Sequence, residues 1–279
     1  MGRLPTLPPG ACDCHMHVYD RRFPAVPGAT LTPPDATVSD YRALQARLGL
    51  QRTVVVTPST YGTDNASLLD ALAQFGGSAR GVAVCDAGVS DTELQALHAA
   101  GVRGLRFNQN IGAATQVEDL EPLAERIANL GWHLQLLLPA DTLPAMEARL
   151  RTLPVPLVFD HLGRLPAAGT AHPGFAVLCR LLDSGRVWIK LSGPYLGGPR
   201  SAGAYPQAQP LARAYIAIAP QRLLWGSNWP HPTATAGQHP MPDDADLLLQ
   251  LARWADSDVL FTRVLATNPA ALYGFATTN

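Results

Sequence analysis

Short runs of apolar and β-branched residues recur along the chain, and each ends in polar residues, glycine or proline. Runs of this length and composition predict β-strands. The eight predicted strands are Ala11–Val18, Thr53–Ser59, Gly81–Asp86, Gly104–Asn110, His133–Pro139, Pro156–His161, Val187–Ser192 and Leu223–Trp229. Stretches with helical periodicity separate them, for instance Asp64–Phe75, Asp91–Ala100, Val117–Leu130 and Ala140–Leu153. The pattern is therefore an alternation of strands and helices.

This alternation predicts parallel strands joined by right-handed helical crossovers, which is the α/β class. Eight strands in 279 residues favour a closed (β/α)8 TIM barrel. The alternative is an open doubly wound sheet, which usually has a glycine-rich phosphate loop after its first strand, where this chain has His15-Met16-His17. No low-complexity run divides the chain, so we predict one domain over residues 1–279, with 1–10 as a proline-rich lead-in.

The amino-acid composition limits the kinds of molecule that this protein is expected to bind. A net charge of -1 argues against nucleic acid or an anionic membrane surface, since both require clustered lysine and arginine. The chain has no apolar run long enough for a membrane span, its first residues do not resemble a signal peptide, and four cysteines are too few for a disulfide scaffold. We expect a cytoplasmic enzyme that acts on a small molecule, as a monomer or small homo-oligomer.

Polar residues end the predicted strands, whereas the strand middles are apolar. In a (β/α)8 barrel the active site lies at the carboxyl ends of the strands. The sequence therefore predicts that these strand-end residues gather at one face: His15, His17, Ser59, Arg106, Asn108, His161, Lys190, Ser192 and Asn228.

The first predicted strand carries two histidines. Side chains alternate between the faces of a strand, so Asp13, His15 and His17 should share one face. The residues expected on the other face are Cys12, Cys14 and Met16. Because cysteine and methionine suit the face that packs on helices, we expect the histidines inside the barrel and the thiols outside, which excludes a Cys-x-Cys metal site. One histidine on a strand is usually a hydrogen-bonded core residue, but two on an inward face indicate an active site.

Two further strands end in candidate polar groups. Arg106 and Asn108 should face inward together, and an inward guanidinium needs a carbonyl or anionic partner. That partner is either a substrate carboxylate or lactone carbonyl, or an acidic side chain in an internal salt bridge. His161 is either a proton carrier or hydrogen-bond donor in the pocket, or a loop cap together with Asp160.

Asn228 ends the last strand, where a barrel hydrolase would be expected to carry a carboxylate. An amide can orient a water molecule, but it cannot take a proton. Ser59 and Tyr61 are predicted at the mouth as hydroxyl donors, and Ser59 does not stand in a nucleophile-elbow sequence.

The chain resembles the amidohydrolase superfamily in six ordered segments between Asp13 and Pro232, namely DCHMHVYD, TPSTYGTDN, GVRGLRFN, FDHLGR, IKLSGPY and LLWGSNWPHP. The similarity is to the branch of 2-pyrone-4,6-dicarboxylate lactonase and the sugar-lactone and muconolactone hydrolases. This resemblance implies a barrel that hydrolyses a lactone ring, often without a metal. It implies catalytic roles for His15, His17 and His161 and for the position of Asn228. It also implies that Arg106 grips a substrate carboxylate, and that Ser59, Tyr61, Asn108 and Tyr195 contact the substrate.

Three positions depart from the pattern that the resemblance implies. Asn228 stands where typical members have an aspartate base, and Gly112 and Leu196 stand where two further carboxylate-binding arginines are expected. A buried carboxylate without a partner costs several kcal/mol. We therefore expect a lactone with at most one carboxylate, such as a sugar-acid lactone or a muconolactone.

A bound metal is not expected, because zinc needs three or four ligands and the last-strand carboxylate is missing. If zinc were bound, His15, His17 and His161 would hold it. His133 stands at the start of its strand, away from the mouth.

The expected mechanism places the histidines around the lactone carbonyl, where they stabilise the oxyanion, while water attacks from the side of Asn228. Either His161 or His231 acts as the base, or Asn228 replaces an aspartate base of the natural enzyme. Two alternative functions stay open: a zinc-dependent amidohydrolase or decarboxylase of the same superfamily, and a barrel without catalytic activity that only binds a sugar acid. Binding alone does not require three converging imidazoles, which counts against the second.

Overall fold

A computed structural model describes residues 5–109, 115–198, 200–201 and 204–276. The chain forms one parallel sheet whose strand order is the chain order. The strands are β1 Cys12–Met16, β2 Arg52–Val56, β3 Ala79–Ala83, β4 Val102–Asn108, β5 His133–Leu137, β6 Leu157–Phe159, β7 Val187–Ser192 and β8 Leu223–Gly226. The helices are α1 Val38–Leu48, α2 Ala66–Phe75, α3 Asp91–Ala99, α4 Leu120–Ala128, α5 Leu143–Thr152, α6 Pro173–Asp183, α7 Ala208–Ile218, α8 Pro232–Thr235, α9 Asp244–Ala255, α10 Asp258–Thr262 and α11 Asn268–Tyr273.

The sheet closes on itself where β8 meets β1. The Asn228 amide donates to the His15 carbonyl and the His17 amide donates to the Trp229 carbonyl, both over 2.8 Å. Gly226 permits this approach, because a Cβ at that position would lie 2.5 Å from the Cβ of His15. The predicted (β/α)8 barrel is confirmed, and no helix in the described ranges is long and apolar enough to cross a membrane.

Most predicted strands run too far at their carboxyl ends. The sequence predicts Thr53–Ser59, for example, but β2 ends at Val56. The polar residues that follow each strand leave the hydrogen-bonded sheet and form loops. A strand end predicted from residue types therefore lies a few residues too far along the chain. The predicted helix Val117–Leu130 likewise divides into a 3-10 turn over Val117–Asp119 followed by α4.

A bulge in β1 changes which of its side chains face the barrel interior. Asp13 pairs with Thr53 and Met16 pairs with Val55, so β1 holds one more residue than β2 between these pairs. An extra residue reverses the alternation of side chains beyond it. The alternation assumed from the sequence therefore fails between the cysteines and the histidines.

The cysteines of β1 consequently face inward, and the prediction that they pack against the helices is wrong. Cys12 and Cys14 belong to an apolar cluster formed by inward side chains of the strands. Burial raises the pKa of the Cys12 thiol well above its usual value, so this thiol stays protonated and fills space. Asp13, predicted inside, instead accepts hydrogen bonds from Tyr41 of α1 (2.9 Å) and from the Ser227 hydroxyl (2.5 Å).

Residues 273–275, which follow the last strand, close the amino-terminal end of the barrel. Tyr273 and Phe275 pack on the same inner cluster as the cysteines. Arg80 donates to the Tyr273 carbonyl over 3.2 Å, and the guanidinium groups of Arg52 and Arg80 lie over the Phe275 ring at 5.1 and 4.6 Å. This floor lies opposite the mouth, where the polar strand ends meet.

His133 is a buried histidine near this floor. Its ring lies 5.4 Å from the ring of Tyr273, and burial together with the charge of Lys190 lowers the pKa of His133 to about 3. The ring is therefore neutral in the folded protein, whereas a histidine in the unfolded chain has a pKa of about 6.5. Because protons bind this ring more readily in the unfolded chain, acid favours unfolding. The free energy of unfolding is unaffected well above pH 6.5, the pKa in the unfolded chain, and falls as the pH drops below that value.

We expect the variant His133→Asn to tolerate acid better than the wild type. When the pH is lowered from 7 to 5, the His133 ring should lower the free energy of unfolding of the wild type by about 2 kcal/mol. Asparagine has no titrating group, so the variant should not suffer this loss. Urea unfolding at the two pH values measures it. An equal acid loss in both proteins would show that the His133 ring is not the source.

Candidate active site

A cavity of about 440 Å³ opens at the carboxyl ends of the strands, a size that suits a small organic molecule. Its wall includes six of the residues that the sequence predicts: His17, Ser59, Arg106, Asn108, His161 and Asn228. Arg164, Tyr19, Leu196 and Gln238 also line it. Among the described lining residues there are two arginines and no aspartate or glutamate.

His17 follows β1 and presents its ring to this cavity. Nδ1 lies 2.8 Å from the Val56 carbonyl oxygen, which can only accept, so Nδ1 carries the hydrogen and Nε2 keeps its lone pair. Burial and the charge of Arg106 lower the pKa of His17 to about 3. His17 is therefore a neutral proton acceptor at physiological pH.

His161 and His15 stand beside His17. The ring centroid of His15 lies 5.0 Å from that of His17 and 4.7 Å from that of His161. Burial, opposed by Asp160, lowers the pKa of His161 to about 3, and Arg106 and Arg164 contribute to this lowering. The Ser192 hydroxyl lies 2.9 Å from His161 Nδ1, where it can donate and leave the hydrogen on Nε2.

A buried charge cluster lies beneath the cavity. The Lys190 ammonium donates to Gln135 Oε1 (2.6 Å) and lies 3.2 Å from His15 Nδ1 and 3.5 Å from Asp160 Oδ1. Arg106 Nε lies 3.6 Å from Asp160 Oδ2. Burial alone would raise the pKa of Asp160, but His15 and Lys190 outweigh it and hold that pKa well below its usual range. One carboxylate therefore faces two cations.

Asn228 is oriented by a chain of hydrogen bonds that leads away from the cavity. Its Nδ2 donates to Tyr195 Oη over 2.7 Å, and Oη lies 3.1 Å from His231 Nδ1. His231 Nε2 in turn lies 3.0 Å from Asp244 Oδ1 at the start of α9. Because a carboxylate can only accept, the hydrogens all point toward Asp244, and Oδ1 of Asn228 remains as an acceptor.

Residues 12–275 match the family Amidohydro_2, described as amidohydrolase. The chain belongs to the amidohydrolase family. It is 38% identical to a 2-pyrone-4,6-dicarboxylate hydrolase of Comamonas testosteroni, over 96% of this chain and 91% of that protein. It is 32% identical to a D-galactarolactone isomerase of Agrobacterium fabrum, over 96% and 92%. An apo crystal structure of an Agrobacterium tumefaciens protein matches with a TM-score of 0.88 at 31% identity, covering 98% of this chain and 99% of that one.

Several predicted residues do not reach the cavity of this amidohydrolase. Tyr61 lies on a 3-10 turn, and its hydroxyl accepts from the Asp20 amide over 3.0 Å. Tyr195 stands behind Asn228, and His231 is held between Tyr195 and Asp244. His15 is fully buried below the cavity, and Gly112 lies outside the described residues.

Three residues that lie in the cavity wall or directly beneath it are not among the site residues that the sequence predicts. The sequence indicates Asp160 only as a loop cap and gives no role to Gln135 or Arg164. Asp160 has the same inward alternation on β6 as Val158 of the inner cluster, which was a usable signal. Arg164 gave no such signal, because its position depends on an unusual turn.

A solved amidohydrolase of Burkholderia multivorans, 20% identical to this chain, contains bound zinc. The charges around the potential ligands decide whether a zinc ion would fit in this chain. In the described part of the chain, His15, Asp160 and His161 bring potential ligand atoms within 4.8 Å of one another, and His17 is not in this group. Lys190 already lies beside two of these three residues, and Arg106 lies beside Asp160. A divalent cation would meet two positive charges and one carboxylate. The residues present do not fit a divalent metal.

Proposed function

We propose that this amidohydrolase opens the ring of a carboxylated lactone by attack of water on the lactone carbonyl. The observation that carries the proposal is the cavity wall, which combines two arginines with neutral imidazoles and, in its described part, no acidic residue. Such a wall favours an anionic substrate with a polarisable carbonyl. The names of the relatives, a pyrone dicarboxylate hydrolase and a galactarolactone isomerase, agree with this class.

Arg106 binds the substrate carboxylate in this proposal. The Arg106 side chain is 5% exposed, and its Nε lies 3.6 Å from Asp160 Oδ2. This contact holds the guanidinium in place, but Lys190 shares the same carboxylate, so an excess of positive charge remains. Asn108 donates to Ser59 Oγ over 2.8 Å, so the Ser59 hydroxyl hydrogen is directed elsewhere and can reach the substrate.

His17 takes the proton from the attacking water. Its Nε2 lone pair is available because Nδ1 is committed to the Val56 carbonyl. The charge of Arg106 lowers the pKa of His17, and a carboxylate bound to Arg106 removes part of that effect. Substrate binding therefore makes His17 a stronger base, which moves its pKa toward the range in which general bases work.

His161 and Asn228 complete the reaction in this proposal. With the Ser192 hydroxyl donating to Nδ1, His161 presents Nε2–H to the carbonyl oxygen on which negative charge develops. The Oδ1 atom of Asn228 accepts a hydrogen bond from the water and holds it for attack. The proton on His17 then goes to the leaving oxygen of the ring, which gives the open hydroxy acid.

A panel of carboxylated lactones, followed by proton NMR and by acid release at constant pH, tests the proposal. The expected result is conversion of at least one lactone to its open acid. Absence of turnover and of binding across pyrone, muconolactone and sugar-acid lactones would contradict it.

Asn228 favours a second candidate, an intramolecular lactone isomerase. Because this position has no carboxylate dedicated to activating water, a hydroxyl group of a sugar-acid lactone can take the place of water, give its proton to His17, attack the carbonyl and shift the ring. In the NMR assay this activity would give an isomeric lactone without acid release, whereas hydrolysis releases acid.

We also propose that the reaction needs no metal, because Lys190 provides the positive charge beside His15 and Asp160. Treatment with EDTA followed by desalting should leave kcat unchanged, and metal analysis should find well below one zinc per chain. Loss of activity on chelation and its recovery with zinc would contradict metal independence. A cytoplasmic location and a monomeric or small homo-oligomeric state remain predictions from the sequence.

A further inference from the structure

A linear hydrogen-bond network connects the cavity wall with the first turn of α9. Its members, in order, are Asn228, Tyr195, His231 and Asp244, and all four side chains are buried. The distances between the bonded atoms are 2.7, 3.1 and 3.0 Å. Of the four residues, Asn228 lines the active-site cavity and the other three stand behind it. Any effect of those three on the reaction must therefore pass through Asn228.

Asp244 fixes the direction of every hydrogen bond in this network. A carboxylate can only accept, so His231 Nε2 carries the ring hydrogen and Nδ1 keeps a lone pair. Burial raises the pKa of Tyr195, so its hydroxyl keeps its one hydrogen and donates it to that lone pair. The hydrogen that Tyr195 Oη accepts must then come from the amide of Asn228. Asn228 Oδ1 is consequently the amide atom that is left for the cavity.

Without the carboxylate the network can also run in the opposite direction. A neutral imidazole carries its hydrogen on either nitrogen. With the hydrogen on Nδ1, His231 would donate to Tyr195 Oη, and the Tyr195 hydroxyl would donate to Oδ1 of Asn228. The amide would then be turned over, with Nδ2 toward the cavity. An N–H group cannot accept a hydrogen of the attacking water, so the reversed network would not hold that water for attack.

The backbone supports this network at two of its members. Asn228 and His231 both have a left-handed conformation, with φ angles of 66° and 62°, and the His231 amide donates to the Asn228 carbonyl over 2.7 Å. This conformation is unfavourable for residues with a Cβ, and such strain is typical of functional segments. The sequence allows His231 to act as the base, but both nitrogens of its ring are engaged in the network.

We propose that Asp244 is a positioning residue, which acts through His231 and Tyr195 to keep the amide oxygen of Asn228 directed at the attacking water. Asp244 itself does not line the cavity, so it contributes to turnover without contributing to substrate binding. This inference rests on the proposed function, because it concerns the residue that holds the attacking water.

The variant Asp244→Ala should lower kcat for lactone opening by about 10², because the water is no longer held in one orientation. KM should stay within a few-fold of the wild type, since Arg106 is untouched. Asp244→Glu keeps an acceptor for His231 and should retain most of the wild-type kcat. The matched control is Asp246→Ala, whose kcat should equal that of the wild type. Asp246 lies in the same first turn of α9 but pairs with Arg200 over 2.7 Å, outside the network.

A double-mutant cycle separates this role from a purely structural one. In the Asn228→Ala background there is no amide to orient, so Asp244→Ala should cause no further loss of kcat. A structural contribution of Asp244 would lower kcat by the same factor in both backgrounds. Equal factors in the two backgrounds, or a wild-type kcat in Asp244→Ala, would overturn the inference.

The position of the hydrogen on the His231 ring tests the network without turnover. Nitrogen NMR of protein with isotope-labelled histidine reports it, and the His231 signals are assigned by their loss in His231→Gln. The wild type should carry the hydrogen on Nε2, and Asp244→Ala should shift it toward Nδ1. If this pattern holds while no lactone is turned over, the proposed function fails and the direction of the network stands. A wild-type ring with its hydrogen on Nδ1 would contradict the inference.

Discussion

Replacing His17 by glutamine should lower kcat for lactone opening by about 10³, because a general base typically contributes 10²- to 10⁴-fold. The glutamine amide reaches about as far as Nε2 of the ring, but its nitrogen is not basic, so the proton acceptor facing the water is lost. KM should change little, since Arg106 in the cavity wall still binds the substrate carboxylate. Steady-state kinetics on the best lactone of the panel measure both constants.

The matched control for this variant is His98→Gln. His98 lies on the outer helix α3 and accepts a hydrogen bond from Trp132 Nε1 over 2.9 Å, remote from the cavity wall. Its kcat should equal that of the wild type. A loss below about tenfold in His17→Gln would rule out His17 as the main base. The urea midpoint of unfolding should match that of the wild type, which would show that the variant is folded.

The variant Asn228→Asp should raise kcat for hydrolysis by about 10² or more, because it adds a carboxylate base beside the water. That carboxylate would accept from the Tyr195 hydroxyl, which now donates to His231. His231 Nδ1 would then need its own hydrogen, and Asp244 at 3.0 Å is placed to stabilise the imidazolium that results. The new negative charge should also raise KM for anionic lactones.

The double variant His17→Gln/Asn228→Asp makes this prediction sharper. If the introduced aspartate becomes the base, removal of His17 costs far less in that background than in the wild type, and the two effects are not additive. If the wild type is an isomerase, Asn228→Asp should change its product. The introduced aspartate would activate water, so the lactone would be hydrolysed to the open acid and not converted to its isomer. An unchanged kcat and product in Asn228→Asp would exclude an aspartate base at this position.

The fold was predictable because it depends on a repeated local pattern. Each strand and helix is marked by its periodicity, and small errors at strand ends do not change the topology. Side-chain direction was predictable only where the strand is regular. Arg106 and Asn108 both line the cavity as expected, because β4 pairs regularly with β5 from Gly104 onward, beyond its register shift against β3. In β1 the bulge reverses the alternation, so the expectation was wrong for Asp13 and the cysteines.

The rest of the site depends on contacts between distant parts of the chain. Lys190 lies against Asp160 of the preceding strand end and against His15, which is 175 residues away, and no local pattern encodes such a meeting. Arg164 reaches the cavity through a left-handed turn that a non-glycine sequence does not indicate. Tyr61 was misplaced because a hydroxyl near a strand end can turn toward either side of its loop.

The barrel is closed at two places, and at both the contacts join the first strands to residues that follow β7. β8 completes the ring against β1, and the floor is sealed when Tyr273 and Phe275 reach the first residues of β2 and β3. Contacts of such large sequence separation form late in folding. A chain emerging from the ribosome therefore carries an open sheet with two unpaired edges until β8 and Phe275 have left the exit tunnel. During synthesis the nascent protein is most exposed to aggregation at β1 and at whichever strand was translated last.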